Sequence, residues 1–406
     1  MMAREPDQVL HDGIFQSDTP EHVFPGKRQK ILKKKWKPWH MPRKQWVREK
    51  QWVIQISQLI DELNLTDRPL RYLSLPGEDL LDIRVIHGLC ERKKVQLHCL
   101  GFDDGTYSPD TETELNISKH EVFQSPIIYP GSDVKKDDFA RISDENSQAY
   151  KVAKQNESYD IINLDLCGSF SRRKGRPYYD ALRNLINDIQ IKERSQPWLF
   201  FLTTRADVAA VNGRDLPHHW INLRNNVQRS DTFKARLDRL LDDRFEQING
   251  NVQQELPRLE HAKFGRLFAL CIAKWLLRFM LSGSPLWVTE MLDSCWYRVS
   301  SAATPNMLSL SFRFHQVTET RQDPTGLTVA PDPPIEEVDE AALAIDALTK
   351  TESLVDIDRL LIENPALNNE MVRESKKLLG SARYPIEEYI PWALKKQKSM
   401  IRKLRN

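Results

Sequence analysis

Two aspartates, Asp103 and Asp165, each follow closely on an apolar run that reads as a strand, Val95 to Leu100 and Tyr159 to Leu164. Open α/β sheets bind ligands at the carboxyl ends of their strands, so a carboxylate there can orient a substrate or accept its hydrogen bonds. The plainer alternatives are a helix cap or a turn, because Asp103-Asp104-Gly105 is also turn chemistry. A third strand-like run, Leu70 to Leu75, ends in Pro76-Gly77-Glu78, a sharp strand-to-helix turn where glycine lets backbone approach a ligand. Cys167, two residues after Asp165, is a candidate nucleophile, weighed against the commoner case of a buried free thiol. His218-His219 has no spaced acid or cysteine beside it, so it is read as loop and no metal site is expected.

The cations are unevenly placed. Lys27 to Lys50 holds 11 Lys and Arg against one acid, Glu49, and Lys395 to Arg405 holds 6 against none. The rest of the chain carries 42 basic and 56 acidic residues, a net of −14 within a chain whose total is +2. Basic ends on an acidic body point to a polyanionic partner. Trp36, Trp39 and Trp46 interleave the first basic run, where indoles can stack on unpaired bases while Lys and Arg neutralise phosphates. The alternative is that the indoles pack the arm onto the body. Arg172-Arg173-Lys174-Gly175-Arg176 is a second basic cluster, directly after Asp165 to Gly168, where the ligand crevice of a sheet would lie.

The elements that must position these groups alternate. A helix from Gln45 carries Trp52, Val53, Ile56, Leu59, Ile60 and Leu63 at three- and four-residue steps. After the Leu70 strand come a helix over Asp79 to Lys93, the Val95 strand, and a helix near Glu112 to Phe123. A short strand at Ile127-Ile128, a helix over Asp137 to Gln155, the Tyr159 strand, a helix over Tyr179 to Glu193 and a strand over Trp198 to Leu202 follow. Such alternation predicts a mostly parallel sheet with helices on both faces. The stretch from Asp215 to Leu281 is helical and breaks the rhythm; its most apolar part, Phe264 to Leu281, contains Arg266, Lys274 and Arg278. Two close strands, Cys295 to Val299 and Met307 to His315, predict an antiparallel hairpin at a sheet edge, with Leu308, Leu310, Phe312 and Phe314 inward and Ser309, Ser311, Arg313 and His315 outward. The expected organisation is a basic arm (1–44), an α/β core (45–212), a helical insertion (213–285), the final hairpin (286–320), a proline-rich linker (321–340) and a helical C-terminal region (341–406).

Over about residues 70–317 this plan resembles the class I S-adenosylmethionine-dependent methyltransferases, a Rossmann-like α/β fold with a seven-stranded sheet. Leu73-Ser74-Leu75-Pro76-Gly77 is similar to their glycine-rich first loop, which implies cofactor contacts from Leu75, Pro76, Gly77 and Glu78. Gly101-Phe102-Asp103 resembles the GxD ending of their second strand, which implies that Asp103, with Asp104 next to it, accepts from the ribose hydroxyls. Ser132-Asp133 falls where the family turns a polar or acidic pair to the adenine. Asp165-Leu166-Cys167-Gly168 stands in place of the loop that holds a target amine in amino-group methyltransferases. That position implies a catalytic role and a cofactor contact for Asp165; Cys167 is the second catalytic candidate, and Gly168, Arg172, Arg173 and Arg205, with Trp36 and Trp39 of the basic arm, are candidate substrate contacts. Asp165-x-x-Gly168-Ser169 and Thr203-Thr204-Arg205-Ala206-Asp207 are distantly similar to tRNA guanine N2-methyltransferases. The segment Lys37 to Trp46 also resembles uncharacterised bacterial methyltransferase-like proteins, some near phage-defence genes. The departures are one glycine instead of three in the first loop, and no proline or aromatic in the Asp165 loop.

No uncharged apolar run reaches the roughly 18 residues of a membrane span. There is no apolar leader, and the five cysteines are scattered without a CxxC pair, as in a reducing cytoplasm. The expected function is methyl transfer from S-adenosylmethionine to nucleic acid, RNA in first place. The C-terminal helices are a further candidate surface for a protein partner. One alternative is an inactive interaction module on the same fold. A nicotinamide-dependent oxidoreductase is the other, disfavoured by the missing GxGxxG turn.

Overall fold

Apolar residues make up most of the central strands, and successive side chains turn to opposite faces of the sheet. The computed structural model describes residues 34–104, 109–172, 178–192, 194–299, 302–317 and 338–405, without the side chains of 109 and 399–405. The linker up to residue 337 and Arg173 to Arg176 lie outside the described residues, as does the first part of the basic arm.

The chain divides into two units, Met1–Lys35 and Trp36–Asn406, and the sheet belongs to the second. It begins with α1 (Pro42–Trp46), which runs through a π-helical stretch (Val47–Trp52) into α2 (Val53–Leu63). Next come β1 (Leu70–Ser74), α3 (Leu81–Lys93), β2 (Leu97–Asp103), α4 (Pro109–Phe123) and β3 (Asp133–Lys136). A 3-10 turn (Phe139–Ser143) and α5 (Gln148–Gln155) replace the single helix expected from Asp137 to Gln155. Then follow β4 (Ile161–Asp165), α6 (Tyr178–Leu185), β5 (Trp198–Arg205), and the helices α7 (Leu216–Val227), α8 (Asp231–Leu240), α9 (Phe245–Gly250), α10 (Val252–Glu255) and α11 (His261–Leu281). The chain closes with β6 (Trp287–Met291), β7 (Cys295–Tyr297), β8 (Met307–Gln316), α12 (Glu340–Glu352), β9 (Val355–Asp356), α13 (Ile357–Glu363), α14 (Pro365–Ser381) and α15 (Tyr389–Arg405).

The strand order is β3-β2-β1-β4-β5-β8-β7-β9, with β6 also on β8. β1 to β5 are parallel; β8 runs antiparallel to β5, and β6 and β7 lie end to end along it. The sheet is therefore mixed α/β, mostly parallel with an antiparallel part. Alternate residues feed two cores. Leu73, Trp198, Phe200, Leu202, Leu308 and Phe312 pack with α5, α6 and α11 on one face. Tyr72, Leu199 and Phe201 pack with α2, α3 and the C-terminal helices on the other. At the amino ends, fully buried Asp160 ties β1 to β4 by accepting from Arg68 (2.7 and 2.8 Å), Arg194 (2.8 Å) and the Arg71 amide (2.8 Å).

Two expectations are corrected here. β8 is not an edge strand with a polar face: it lies between β5 and β6/β7, and Ser309 and Ser311 are fully buried. Gln51 from the π-helical stretch covers that face, donating to the Ser309 carbonyl (2.9 Å) and accepting from its hydroxyl (2.7 Å). The third strand begins at Asp133, not at Ile127, where Ile128 makes only an isolated bridge to Leu97.

Candidate functional site

Strand order reverses at β1: the chain moves outward to β2 and β3, then returns to place β4 on β1's other side. Ligands bind at such a switch point, outside the carboxyl ends of the strands. A crevice of about 420 Å³ opens there, lined by the tips of β1 (Leu75, Pro76, Gly77, Glu78), β2 (Asp103), β4 (Asp165, Leu166, Cys167) and β5 (Arg205). Its volume lies in the range of small-molecule sites.

The first loop is shaped by two glycines. Gly77 has φ +62°, a left-handed conformation that costs a side chain energy. Gly101, opposite Ser74 in β2, gives Pro76 its place: a Cβ on Gly101 would lie 2.9 Å from both Pro76 Cγ and Val134 Cγ2. Asp79 is fixed by the Tyr384 hydroxyl (2.7 Å). Buried Asp82, one residue into α3, accepts from the Tyr72 hydroxyl (2.9 Å), which accepts in turn from Asn163 (2.8 Å). Burial raises the Asp82 carboxyl above its ordinary range, and the charge of Asp165 adds to that.

The opposite wall comes from the end of the basic arm and the start of the helix that follows it. Lys37 and Trp39 come from a short 3-10 turn (Pro38–His40) and the residue before it, Lys44 from α1 and Arg48 from the π-helical stretch. Lys44 is 2% exposed; its Nζ donates to Asp165 Oδ1 (2.6 Å) and Thr203 Oγ1 (3.2 Å) and sits 4.5 Å from the Trp52 ring. Burial lowers its pKa, while the Asp165 carboxylate holds the proton on. Asp165 is thus one half of a buried ion pair, not a bare carboxylate waiting for an amine. Arg48 is 4% exposed and donates to the Trp39 carbonyl (3.2 Å).

Of the expected site residues, Leu75, Pro76, Gly77, Glu78, Asp103, Asp165, Cys167, Arg205 and Trp39 line the crevice. Cys167 is exposed, and the surrounding protein and then the Asp165 charge push its thiol up, which opposes a thiolate nucleophile. Arg205 is paired with Asp207 (2.5 Å). The others lie elsewhere. Ser132 ties its loop to β2 by accepting from the Cys99 amide (3.0 Å). Asp133 starts β3 and lies beside Leu100, three residues back along the strands from Asp103, paired with Lys119 (2.5 Å) and Lys135 (2.7 Å). Two acids follow the carboxyl end of β3: Asp137 pairs with Arg141 (3.1 Å), and Asp138 accepts from Arg172 (3.2 Å) and caps the following turn. Asp104 and Gly168 are exposed outside the lining, and Gly168 accepts from the Arg205 amide (2.9 Å). Arg172 stacks on Tyr178 (4.1 Å). Trp36 packs against Tyr384, Tyr389 and Trp392, outside the crevice lining. His219 is buried beside Tyr179 (2.8 Å), its pKa lowered to about 4 by burial, so it is a neutral core residue. No His/Cys/Asp/Glu group fit for a metal occurs among the described residues. No described helix is long and apolar enough to cross a membrane.

Lys44, Arg48 and Asp82 went unnoticed in the sequence, although a signal exists. Lys44, Arg48, Gln51 and Gln55 recur at four-, three- and four-residue steps, a polar stripe on the helix that carries Trp52.

The profile of a family described as PP_RS20740-like matches residues 33–394. No curated protein is similar in sequence. Among solved structures, the chain is similar to the CMeT domain of the citrinin polyketide synthase, with 15% identity, a TM-score of 0.26, and coverage of 39% of this chain and 36% of that one. It is also similar to a SAM-dependent methyltransferase from Agrobacterium tumefaciens, with 13% identity, a TM-score of 0.32, and coverage of 67% of this chain and 62% of that one. The chain therefore spans less than two thirds of either structure's length.

Proposed function

The chain belongs to the PP_RS20740-like family, and from the geometry of its crevice we propose that it is an S-adenosylmethionine-dependent methyltransferase. The observation that carries this is the convergence of Gly77, Asp103 and Asp165, from three parallel strands, on one crevice at the switch point.

The residues fit the cofactor. Gly77 and the Pro76–Gly101 contact bring backbone close to the crevice, Asp103 offers a carboxylate to ribose hydroxyls, and Glu78 and Asp82 suit an ammonium group. When bound, S-adenosylmethionine supplies a methyl group already activated by its sulfonium. The protein's part is alignment and exclusion of water. Trp39, Leu166, Tyr297 and Met307 give the crevice apolar walls. Lys44 and Asp165 form an ion pair at the acceptor side, and its carboxylate can accept a hydrogen bond from the acceptor and so orient it. Nucleic acid, RNA in first place, is the acceptor we favour. Lys37 sits over exposed Trp39 and Arg205 lines the same crevice, cations and an indole that suit a phosphate and an unpaired base.

The Lys44–Asp165 pair also favours a second reading, a non-catalytic module whose acceptor position is filled by its own side chain. Calorimetric titration with S-adenosylhomocysteine separates the two. A methyltransferase binds it, and Asp103→Ala weakens binding by about tenfold or more, as for a charged hydrogen-bond acceptor. No heat of binding to the wild-type chain would leave the second reading standing.

A further inference from the structure

The crevice wall formed by α1 and the π-helical stretch holds more positive charge than its own carboxylates neutralise. Lys44 is matched by Asp165 (2.6 Å), Arg205 by Asp207 (2.5 Å) and Arg43 by Asp358 (3.0 Å). Arg48 makes no ion pair among the described residues. Its one hydrogen bond there goes to the Trp39 carbonyl, and its Nε is buried with no acceptor. The side chain is 4% exposed; the charges of Asp165 and Asp82 reach it without an ion pair, and Lys44, one turn earlier, is a like charge beside it. A buried guanidinium left in this state is costly, and its planar fork is shaped for a carboxylate. The crevice that Arg48 lines is also lined by Asp82 and Asp103. One cavity thus carries an unmatched buried cation together with acids, the complement of a group bearing both charges.

We infer that Arg48 receives the carboxylate of an α-amino acid group, whose ammonium turns to the acidic wall at Asp82. The inference rests on the methyltransferase reading, in which that group is the methionyl end of the cofactor. Arg48 is then a binding residue supplied by the N-terminal helix.

Three ligands test this by calorimetry: S-adenosylhomocysteine, its decarboxylated amine, and 5′-methylthioadenosine, which lacks the whole amino-acid end. The wild-type chain is expected to bind S-adenosylhomocysteine about 10- to 100-fold more tightly than the decarboxylated amine, the range for hydrogen bonds to a charged group. Arg48→Gln should abolish that preference while leaving the affinity for 5′-methylthioadenosine unchanged, which also shows that the variant is folded. Equal wild-type affinity for the first two ligands overturns the assignment, whether or not the variant folds. So does an equal loss for all three ligands in Arg48→Gln, which marks a structural role, or no loss for any. If the wild-type chain binds none of them, the methyltransferase reading falls and this inference with it. If it binds all three alike, only the Arg48 assignment falls.

Discussion

Asp165→Asn is expected to destabilise the protein more than Lys44→Met, although the two substitutions break the same ion pair. The reason is unequal burial: the Lys44 side chain is 2% exposed and that of Asp165 22%. Removing the carboxylate strands an ammonium in the protein interior, a change that costs about 3–5 kcal/mol for a fully buried pair. Here Lys44 keeps Thr203 Oγ1 at 3.2 Å and the Trp52 ring at 4.5 Å, and it can discharge because burial already lowers its pKa. The expected cost is therefore about 2–3 kcal/mol. Lys44→Met leaves a carboxylate that the crevice can rehydrate and a thioether that packs on Trp52, so about 1 kcal/mol is expected. The double variant should cost less than the sum, with a coupling of about 1 kcal/mol or more. Urea unfolding at pH 7 with a constant m-value measures all three. The pH dependence gives a further check. A lysine whose folded pKa is lowered binds fewer protons folded than unfolded, so stability rises with pH below the unfolded value of about 10.4. The Asp165→Asn penalty should accordingly shrink between pH 7 and 9. Equal costs, simple additivity and a flat pH response would refute the buried-pair argument.

The Asp160 network gives a second test. Burial alone would raise the Asp160 carboxyl, but the hydrogen bond from Arg68 and the charge of Arg194 hold it below the ordinary range. Its stabilisation is therefore present above the unfolded pKa of about 3.9 and is lost as pH falls below that. Asp160→Asn should cost about 3–5 kcal/mol at pH 7, and the gap from wild type in acid-titrated urea curves should narrow below about pH 4. Gly101→Ala should cost about 1–3 kcal/mol in urea unfolding, because the new Cβ meets Pro76 and Val134. It should also weaken S-adenosylhomocysteine by shifting the first loop, and unchanged affinity would show that the loop's position is immaterial.

Much of the sheet was legible because local pattern and burial agree there. Trp198 to Leu202 and Ile161 to Leu164 are covered on both faces, so unbroken apolar runs betray them. The tips after β1, β2 and β4 follow from the same runs, and with them Gly77, Asp103 and Asp165. Legibility ended where a partner decides a residue's role. Ser309 and Ser311 look solvent-facing until Gln51 covers them. Ser132-Asp133 was misplaced because β3 is only four residues long, too short for a period to show which end is the carboxyl one. Lys44 and Arg48 stand in a strongly basic run, and composition there speaks for solvent or phosphate, whereas tertiary packing buries both. Trp36 was ambiguous for the same reason, since an indole suits both a base and the pocket formed by Tyr384, Tyr389 and Trp392.

A crystal structure grown with S-adenosylhomocysteine is the most direct measurement. The proposed function predicts the ligand at the switch point, its ribose on Asp103, its sulfur near Asp165 and its backbone contacts at Gly77. A ligand bound at another face of the sheet, or a crevice without ligand at saturating concentration, would contradict it.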